Sequence, residues 1–223
     1  MSSAGDMAEI IDIFPIPVKR VSCDWDWQEE GQALLREPMK TMANGNVFSK
    51  SNMILASGKF PRLSQWLLDQ AEIFAKEQLC IMRKMRITNS WIIQHANGNA
   101  GGPHTHTDCF IAGVFYILKS ENTPNLRCWK TSYASNAAEL LIPLDANLAK
   151  QNRWAQDSVD IPAVAGDLLL MPSWVIHSVP TKTTSEPRAS LAYNVITENI
   201  FENDEWSFQG KGPIYDPVFL DPK

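Results

Sequence analysis

The sequence predicts a mostly β fold with flanking helices, and three observations support that class. Beyond Arg86 the chain breaks into short apolar, aromatic and β-branched runs, separated by clusters of Gly, Asn, Pro and Asp. These runs recur at spacings of roughly 8 to 12 residues, which favours a barrel or jelly-roll sandwich over alternating strands and helices. One strongly amphipathic helical pattern precedes them, starting at Pro61. We therefore expect a sheet-rich domain with a helix packed against it.

Length and composition predict a single domain with a sizeable core. The chain has 223 residues, of which 44% are apolar. We divide the domain, residues 1–223, into an N-terminal strand with supporting helices (1–85), a sheet core (86–200) and a C-terminal tail (201–223). The net charge of -5, without a basic stripe, disfavours nucleic acid as a partner.

The N-terminal region predicts one strand and two helices. Residues 10–21, "IIDIFPIPVKRV", alternate apolar and polar residues and contain two prolines, which is typical of an edge strand. Residues 26–42 have helical spacing interrupted by Gly31 and Pro38. Residues 61–85 carry apolar side chains every three or four positions, which predicts the main helix and its packing against a sheet.

Seven runs are predicted to be strands of the sheet core. The loop "ANGNAGGP" before the second run, and the segment Ser120 to Gln156, which includes two of the runs, are predicted to frame an entrance. The predicted strands are residues 87–95, 109–119, 126–133, 138–144, 158–164, 167–179 and 189–197.

The cysteines and the N-terminus predict a cytoplasmic protein. The four cysteines are far apart, form no CxxC pair and lie beside apolar residues, which favours reduced and partly buried thiols. No secretion signal and no membrane span is predicted from the sequence. We expect neither a membrane partner nor a membrane anchor, and the sequence does not predict the oligomeric state.

Two of the four histidines, His104 and His106, are spaced for a metal site. Side chains two residues apart on a strand point to the same face, so both can approach one ion at a strand end. His177 is the third candidate, because it enters the apolar run "WVIHSV" after Pro172 and Ser173 interrupt a strand.

Arg188 begins the run "RASLAYN", where it shares one strand face with Ser190, Ala192 and Asn194. An arginine that points into a barrel beside small and polar residues requires an anion, because an unpaired buried guanidinium is costly. A ligand carboxylate, bound by both nitrogens of the Arg188 fork and by the Ser190 hydroxyl, fits this requirement.

With these residues in view, the chain resembles the 2-oxoglutarate and Fe(II)-dependent oxygenase superfamily. The resemblance rests on "FPIP" at Phe14, "SWIIQHANGNAGGPHTHTDCFIAGVFYIL" and "GDLLLMPSWVIHSV" followed by "RASLAYN". It is nearest to a group marked by HxH, SGVYYL, a distal His and RxS, which is seen in bacteria and phages. The resemblance implies a double-stranded β-helix (jelly-roll, cupin-like) core and, for a phage-encoded chain, the host cytoplasm.

The resemblance also implies the chemistry. Fe(II), 2-oxoglutarate and O2 would together hydroxylate a substrate and release succinate and CO2. The substrate is left open between a peptidyl proline or other protein side chain and a small molecule. An oxidative outcome other than hydroxylation also stays open.

The motif "HTHTD" allows two sets of iron ligands. One is His104, His106 and His177; the other is His106, Asp108 and His177, the common set of two histidines and one carboxylate. We favour the three histidines, because Thr107 and Asp108 have the character of a turn before the next strand, which would leave Asp108 beside the site or in solvent.

The resemblance assigns further residues to the site. Tyr116 would donate its hydroxyl to the cosubstrate carboxylate, Asn194 would bind the cosubstrate or orient Arg188, and Trp91 would line the pocket. His95 is predicted to be structural.

Three rival functions remain open at this stage. One is a cupin-like metal enzyme that does not use 2-oxoglutarate, which Arg188 and Ser190 disfavour. The second is a non-catalytic β-sandwich binding module. The third is a halogenating oxygenase, which His106 disfavours because that chemistry requires a small residue at a ligand position.

Overall fold

The computed structural model describes residue 12 and residues 15–130 and 155–198. These residues form mainly short strands, with two α-helices and one short 3-10 helix near the N-terminus. In chain order the elements are β1 (Lys19–Ser22), α1 (Gln28–Leu34), β2 (Met39–Thr41), β3 (Val47–Ser49), the 3-10 helix (Leu55–Ser57), α2 (Pro61–Leu79), β4 (Met85–Gln94), β5 (Gly101–His104), β6 (Ile111–Leu118), β7 (Leu126–Trp129), β8 (Ser158–Ile161), β9 (Asp167–Pro172), β10 (His177–Val179) and β11 (Ala189–Thr197).

The strands form two antiparallel sheets. The larger sheet has the order β1-β9-β6-β11-β4-β3-β2, and the smaller has the order β5-β10-β7-β8. Neighbouring strands in this order are mostly not consecutive in the chain, so the chain crosses repeatedly from one sheet to the other. This is the two-sheet arrangement of a double-stranded β-helix, and it confirms the predicted fold class.

The larger sheet is covered on both faces. Along β6, Ile111 and Phe115 pack with residues of α2, whereas Ala112 and Val114 pack with residues of the smaller sheet. Every residue of β11 is buried. Two-sided burial explains why these strands are nearly continuous apolar runs in the sequence instead of alternating ones.

Helix α2 is held to the sheet at its start and along its length. Glu30 of α1 accepts a hydrogen bond from the backbone N–H of Leu63 at 2.9 Å, which satisfies one free donor of the first turn. The Tyr193 hydroxyl donates to the Leu67 carbonyl at 3.1 Å. Within the part of the chain that the structure describes, no helix is long and apolar enough to span a membrane.

Two predicted helices are shorter than the sequence pattern indicated. Helix α2 ends at Leu79 instead of continuing to residue 85, because Cys80 adopts a left-handed conformation at φ 56° that closes the last turn. The helix predicted for 26–42 ends at Leu34, and Met39–Thr41 form β2 instead. Pro38 lies between these two elements and disfavours a helical conformation at the residue before it.

Among the strands, one prediction was wrong and others lie outside the described residues. Gly101 to Pro103 were predicted to be loop, but they belong to β5, which pairs with β10. Pairing with a neighbouring strand overrides the low β-propensity of glycine there. Among the described residues, β1 pairs with β9 alone and lies at the edge of the larger sheet; it overlaps the C-terminal part of the predicted edge strand, and Pro15 and Pro17 precede it. The predicted strand 138–144, the tail 201–223 and Phe14 lie outside the described residues.

The four cysteines are free thiols. Cys109 is buried, Cys23 and Cys128 are half-buried, and Cys80 is exposed at the end of α2. Burial is the main cause that raises the pKa of Cys128 to about 11 and that of Cys109 to about 12, so both thiols are held protonated. Buried or partly buried thiols were expected at all four positions. The structure agrees at three of them, and Cys80 is exposed instead.

Candidate metal centre and anion pocket

Three histidines meet at one end of the smaller sheet. One ring nitrogen from each of His104, His106 and His177 lies within 4.8 Å of the corresponding atoms of the other two. His104 ends β5 and lies directly opposite His177 on β10, while His106 follows two residues later. His177 is buried, His106 is half-buried and His104 is exposed, so the cluster is open to solvent on one side. The three rings are thus placed so that they could hold one metal ion.

The Nδ1 atom of each histidine already has an oxygen partner. His104 Nδ1 donates to the Gly102 carbonyl at 2.8 Å, and His177 Nδ1 donates to the Val175 carbonyl at 2.9 Å. His106 Nδ1 donates to the side-chain oxygen of Asn194 at 2.6 Å. An imidazole that carries its proton on Nδ1 has its lone pair on Nε2. All three rings are therefore set to offer Nε2 to an ion.

Burial favours the neutral, metal-binding form of two of these rings. It is the largest cause that lowers the pKa of His177 to about 4, and the neighbouring His104 and His106 add to it. Burial also lowers the pKa of His106 below its ordinary value, although the hydrogen bond with Asn194 opposes this. Since histidine binds metals through a neutral imidazole, the site does not have to lose protons from these rings near neutral pH.

Asp108 lies outside the histidine cluster. Its carboxylate accepts a hydrogen bond from the Asn194 side-chain N–H at 3.2 Å, and the cluster of possible ligands contains the three histidines without it. The structure thus brings together the residues of the three-histidine alternative. The alternative ligand, the Asp108 carboxylate, contacts this cluster only through the side chain of Asn194.

Arg188, which immediately precedes β11, is a buried cation. Only 1% of its surface is exposed. Its Nε donates to the Pro124 carbonyl at 3.0 Å, and its Nη1 donates to His95 Nδ1 at 2.9 Å. Its Nη2 is buried and has no well-formed hydrogen bond to any described residue. Burial is the first cause that lowers the pKa of Arg188, which reflects the cost of burying a cation.

Tyr116 presents a second unpartnered group to the same place. Its buried hydroxyl makes no well-formed hydrogen bond with the described residues, and the Arg188 guanidinium carbon lies 5.4 Å from the centre of its ring. Burial raises the pKa of Tyr116, and the adjacent Arg188 side chain opposes this through its charge and through an approach that falls short of a well-formed hydrogen bond. The hydroxyl therefore stays protonated and able to donate. Ser190 is buried and lies directly opposite Tyr116 between β11 and β6. The three predicted residues Arg188, Ser190 and Tyr116 are thus neighbours, and two of them lack partners.

His95, which was predicted to be structural, orients the arginine. Its Nδ1 accepts from Arg188, and its backbone N–H donates to the Arg188 carbonyl at 3.1 Å. Burial, followed by the charges of Arg188 and Lys182, lowers the pKa of His95 to about 3. The ring is therefore neutral and can accept the guanidinium hydrogen bond. The sequence signal was its position at the end of the strand "ITNSWIIQH", next to the glycine-rich segment.

Two further predicted residues lie at the metal end. Asn194 contacts His106 and Asp108 through its side chain, so its hydrogen bonds differ from the predicted contact with the cosubstrate or with Arg188. The Trp91 ring stacks on the His106 ring, with centroids 6.0 Å apart and planes inclined by 20°. Trp91 therefore forms one wall of the histidine cluster, as the resemblance implied.

The geometry can be compared with known protein families. Residues 89–194 match the model of a family described as "Putative 2OG-Fe(II) oxygenase". The matched segment contains the three histidines, Tyr116 and Arg188. This match covers just under half of the chain and supports its assignment to the 2-oxoglutarate/Fe(II) oxygenase superfamily. The proteins of that superfamily are non-haem iron oxygenases, and Fe(II) and 2-oxoglutarate are their cofactors.

Solved structures with low sequence identity share the fold of this chain. The epimerase SnoN from nogalamycin biosynthesis is 17% identical, with a TM-score of 0.60 over 90% of this chain and 88% of SnoN. HygX from Streptomyces hygroscopicus, with nickel, 2-oxoglutarate and hygromycin B bound, is 13% identical, with a TM-score of 0.58 over 82% of this chain and 83% of HygX. A Pseudomonas putida prolyl-4-hydroxylase is 13% identical, with a TM-score of 0.53 over 82% and 94% of the two chains. No curated protein matches the sequence.

The residues of the site fit both cofactors. Three imidazoles, each with a ring nitrogen within 4.8 Å of those of the other two, are suitable ligands for Fe(II). The unpartnered Arg188 Nη2 and Tyr116 hydroxyl are donors that a carboxylate of 2-oxoglutarate would satisfy. Without such an anion, two buried donors would remain unpaired, which costs roughly 1–3 kcal/mol for each group.

Proposed function

We propose that this oxygenase hydroxylates a C–H bond of its substrate, consuming 2-oxoglutarate and O2 and releasing succinate and CO2. The observation that carries the proposal is the buried Arg188 guanidinium, whose Nη2 has no partner. Arg188 immediately precedes β11, the strand that also carries Asn194 at the histidine cluster. A carboxylate site and a metal site on one strand match a cosubstrate that binds iron at one end and arginine at the other.

His104, His106 and His177 are proposed as the iron ligands. Iron with bound 2-oxoglutarate supplies the activation of O2, coupled to oxidative decarboxylation of the cosubstrate. The protein holds the three imidazoles in one tautomer through the oxygen partners of their Nδ1 atoms. Trp91 excludes water from one side of His106 by stacking on its ring.

Arg188, Ser190 and Tyr116 are proposed to bind the distal carboxylate of 2-oxoglutarate. The fork of Arg188 can give one Nη2 hydrogen bond without breaking its bonds to His95 and Pro124. The Tyr116 hydroxyl adds a second donor. Ser190 and Asn194 are four residues apart on β11, which places the two ends of the site about 13 Å apart along the strand.

The substrate is proposed to approach over the exposed aromatic side chains near the histidines. Phe110 and Trp174 are 39% and 53% exposed. The backbone links both to the metal end, because Ser173 N–H donates to the Phe110 carbonyl and His106 N–H donates to the Ser173 carbonyl, each at 2.9 Å. A peptidyl proline, another protein side chain and a small molecule all remain candidates. The solved relatives differ in this respect: one is an epimerase, one binds hygromycin B and one is a prolyl-4-hydroxylase.

The decisive experiment is an anaerobic titration of the purified protein with Fe(II) and then 2-oxoglutarate. We expect a visible charge-transfer absorption band that needs both additions, because 2-oxoglutarate chelates the iron. His177→Ala should remove iron binding, whereas Arg188→Ala should keep iron binding and weaken the response to 2-oxoglutarate.

Each alternative outcome points to a rival function. An iron-loaded, folded protein that shows no response to 2-oxoglutarate would indicate a cupin-like metal enzyme. A folded protein that binds no iron would indicate a non-catalytic binding module.

A further inference from the structure

His106 is the one histidine of the cluster whose Nδ1 partner is a side chain. His104 and His177 donate to backbone carbonyls, of Gly102 and Val175. A backbone carbonyl can only accept, so these two rings are fixed by the chain path. His106 instead donates to the amide oxygen of Asn194 at 2.6 Å. An amide has an accepting end and a donating end, and its orientation must therefore be set by something else.

Asp108 supplies that orientation. The Asn194 side-chain N–H donates to the Asp108 carboxylate at 3.2 Å. Since an ionised carboxylate oxygen only accepts, the Asn194 amide must direct its nitrogen to Asp108 and its oxygen to His106. We infer that Asp108 is a positioning residue for the metal centre, which acts through Asn194 to keep the proton of His106 on Nδ1 and the lone pair on Nε2.

The opposite orientation of the amide would disable the ligand. With its nitrogen toward His106, Asn194 would donate to Nδ1, and the ring proton would move to Nε2. The Nε2 atom of His106 could then not bind a metal that His104 and His177 approach through Nε2. The carboxylate of the "HTHTD" motif thus contributes to the site without touching the ion.

The surrounding structure holds this relay in place. Asn194 is 3% exposed and lies on β11 between β4 and β6, opposite Asn89 and Ala112. The pairing of β11 with β4 shifts register directly after Asn194, a kind of irregularity that often redirects a side chain beside a functional site. On the other side, Phe110 N–H donates to the Val195 carbonyl at 2.9 Å. This bond ties the segment that carries Asp108 to the strand that carries Asn194.

The relay rests on the proposed metal site, and a test that does not need catalysis separates the two. Nickel affinity is measured by calorimetry for the wild type, Asp108→Ala, Asp108→Asn, Asn194→Leu and the double variant Asp108→Ala/Asn194→Leu. We expect Asn194→Leu to weaken nickel binding about 10- to 100-fold. Asp108→Ala should weaken it by a smaller factor, and Asp108→Asn should bind more tightly than Asp108→Ala, because an amide oxygen can accept the same hydrogen bond.

The double variant tests whether Asp108 acts through Asn194. In the Asn194→Leu background, Asp108→Ala should cause no further loss of affinity, since the relay is already broken. Asp160→Ala is the matched control: it also removes a carboxylate with a hydrogen-bonded partner, Arg127, and should bind nickel like the wild type.

The protonation of His106 provides a readout that needs no variant. In 15N-labelled, metal-free wild type, long-range 15N–1H NMR should show His106 protonated at Nδ1, and Asp108→Ala should add a population protonated at Nε2. A wild-type His106 protonated mainly at Nε2 would overturn the inference, whether or not the variants fold.

Two affinity results would also overturn it. Equal nickel affinities for the wild type, Asp108→Ala and Asn194→Leu would show that the relay does not support the metal. If Asp108→Asn were as damaging as His177→Ala, Asp108 would be a direct ligand. By contrast, a folded wild type that binds no nickel would remove the metal site itself and, with it, the proposed function.

Discussion

His104 and His177 are directly opposite each other on antiparallel strands β5 and β10, and the centres of their rings are 4.4 Å apart. This pairing joins the HxH motif to the distal histidine, although the two are far apart in the chain. It also makes β5, a glycine-rich strand, part of the histidine cluster. The register between β5 and β10 in the smaller sheet therefore determines whether the candidate ligands meet.

Divalent metal should stabilise the folded protein through this cluster. A ligand that binds only the folded state raises the free energy of unfolding by about 2.7 kcal/mol at a concentration 100 times its Kd. Nickel should therefore raise the Tm of the wild type, and His104→Ala, His106→Ala and His177→Ala should each lose that increase. Differential scanning fluorimetry measures the shift. His95→Asn is the control: it lies outside the cluster and should keep the full shift.

Replacement of Arg188 should separate binding from stability. Arg188→Met should lower 2-oxoglutarate affinity by about 1.5–3 kcal/mol, the usual contribution of a hydrogen bond to a charged group. The same variant removes a buried guanidinium with an unpartnered nitrogen, but it also leaves the Pro124 carbonyl and His95 Nδ1 without their donor. Because these effects oppose each other, the unfolding free energy without 2-oxoglutarate should fall by no more than about 1–3 kcal/mol. Arg188→Lys keeps the charge but loses the fork, and should also bind the cosubstrate weakly.

Isothermal calorimetry and urea unfolding measure the two effects of the Arg188 replacements. A loss of several kcal/mol in the unfolding free energy of Arg188→Met, with 2-oxoglutarate binding intact, would contradict the proposed role and make Arg188 a structural residue.

His95 should make the stability of the metal-free protein depend on pH. Its pKa is about 3 in the folded protein, against an ordinary value of 6.5. As pH falls below 6.5 the unfolded chain binds a proton at this position and the folded protein does not. The stabilisation present above pH 6.5 is therefore lost between pH 6.5 and pH 3, at about 1.4 kcal/mol for each pH unit.

His95→Asn isolates this contribution. Asparagine can place its side-chain oxygen near the position of His95 Nδ1, so it can still accept from Arg188 Nη1. The unfolding free energy of the variant should therefore depend less steeply on pH, by up to about 1.4 kcal/mol for each pH unit, because one histidine that takes up a proton on unfolding is missing. His177, whose pKa is also lowered, contributes equally to both proteins. Urea unfolding between about pH 7.5 and about pH 4.5 measures the slopes, and identical slopes would contradict a neutral buried His95.

Gly113 should tolerate no side chain. A Cβ built at this position would lie 2.3 Å from the Tyr193 ring. That ring is fully buried, and its hydroxyl is bonded to Leu67 of helix α2. We expect Gly113→Ala to lower the unfolding free energy by about 1–3 kcal/mol, the usual cost of overpacking. Gly102→Ala is the control, because a Cβ there meets nothing within 4 Å; equal stability of the two variants in chemical denaturation would contradict the prediction.

The main elements of the fold follow from local patterns in the sequence. The apolar periodicity from Pro61 predicts α2, and the short apolar runs predict the strands, because side-chain period depends only on the local backbone. The predicted ends of the helices were wrong where one residue stops a helix that the apolar pattern would continue. Helix α2 ends before Cys80, which is left-handed, and the first helix ends before Pro38. The glycine-rich β5 was missed because its strand conformation depends on pairing with β10.

The histidine spacing and Arg188 predicted a metal site and a bound carboxylate from the sequence, and the resemblance of the surrounding motifs to a known superfamily named them as iron and 2-oxoglutarate. Only the tertiary structure showed which side chains form hydrogen bonds with the candidate ligands and with Arg188. His95 reaches Arg188 across 93 positions of the chain, and Asn194 reaches His106 across 88. Partners at such separations are selected by how the sheets pack, and local sequence does not record them, so the role of a side chain such as Asp108 appears only once the strands are paired.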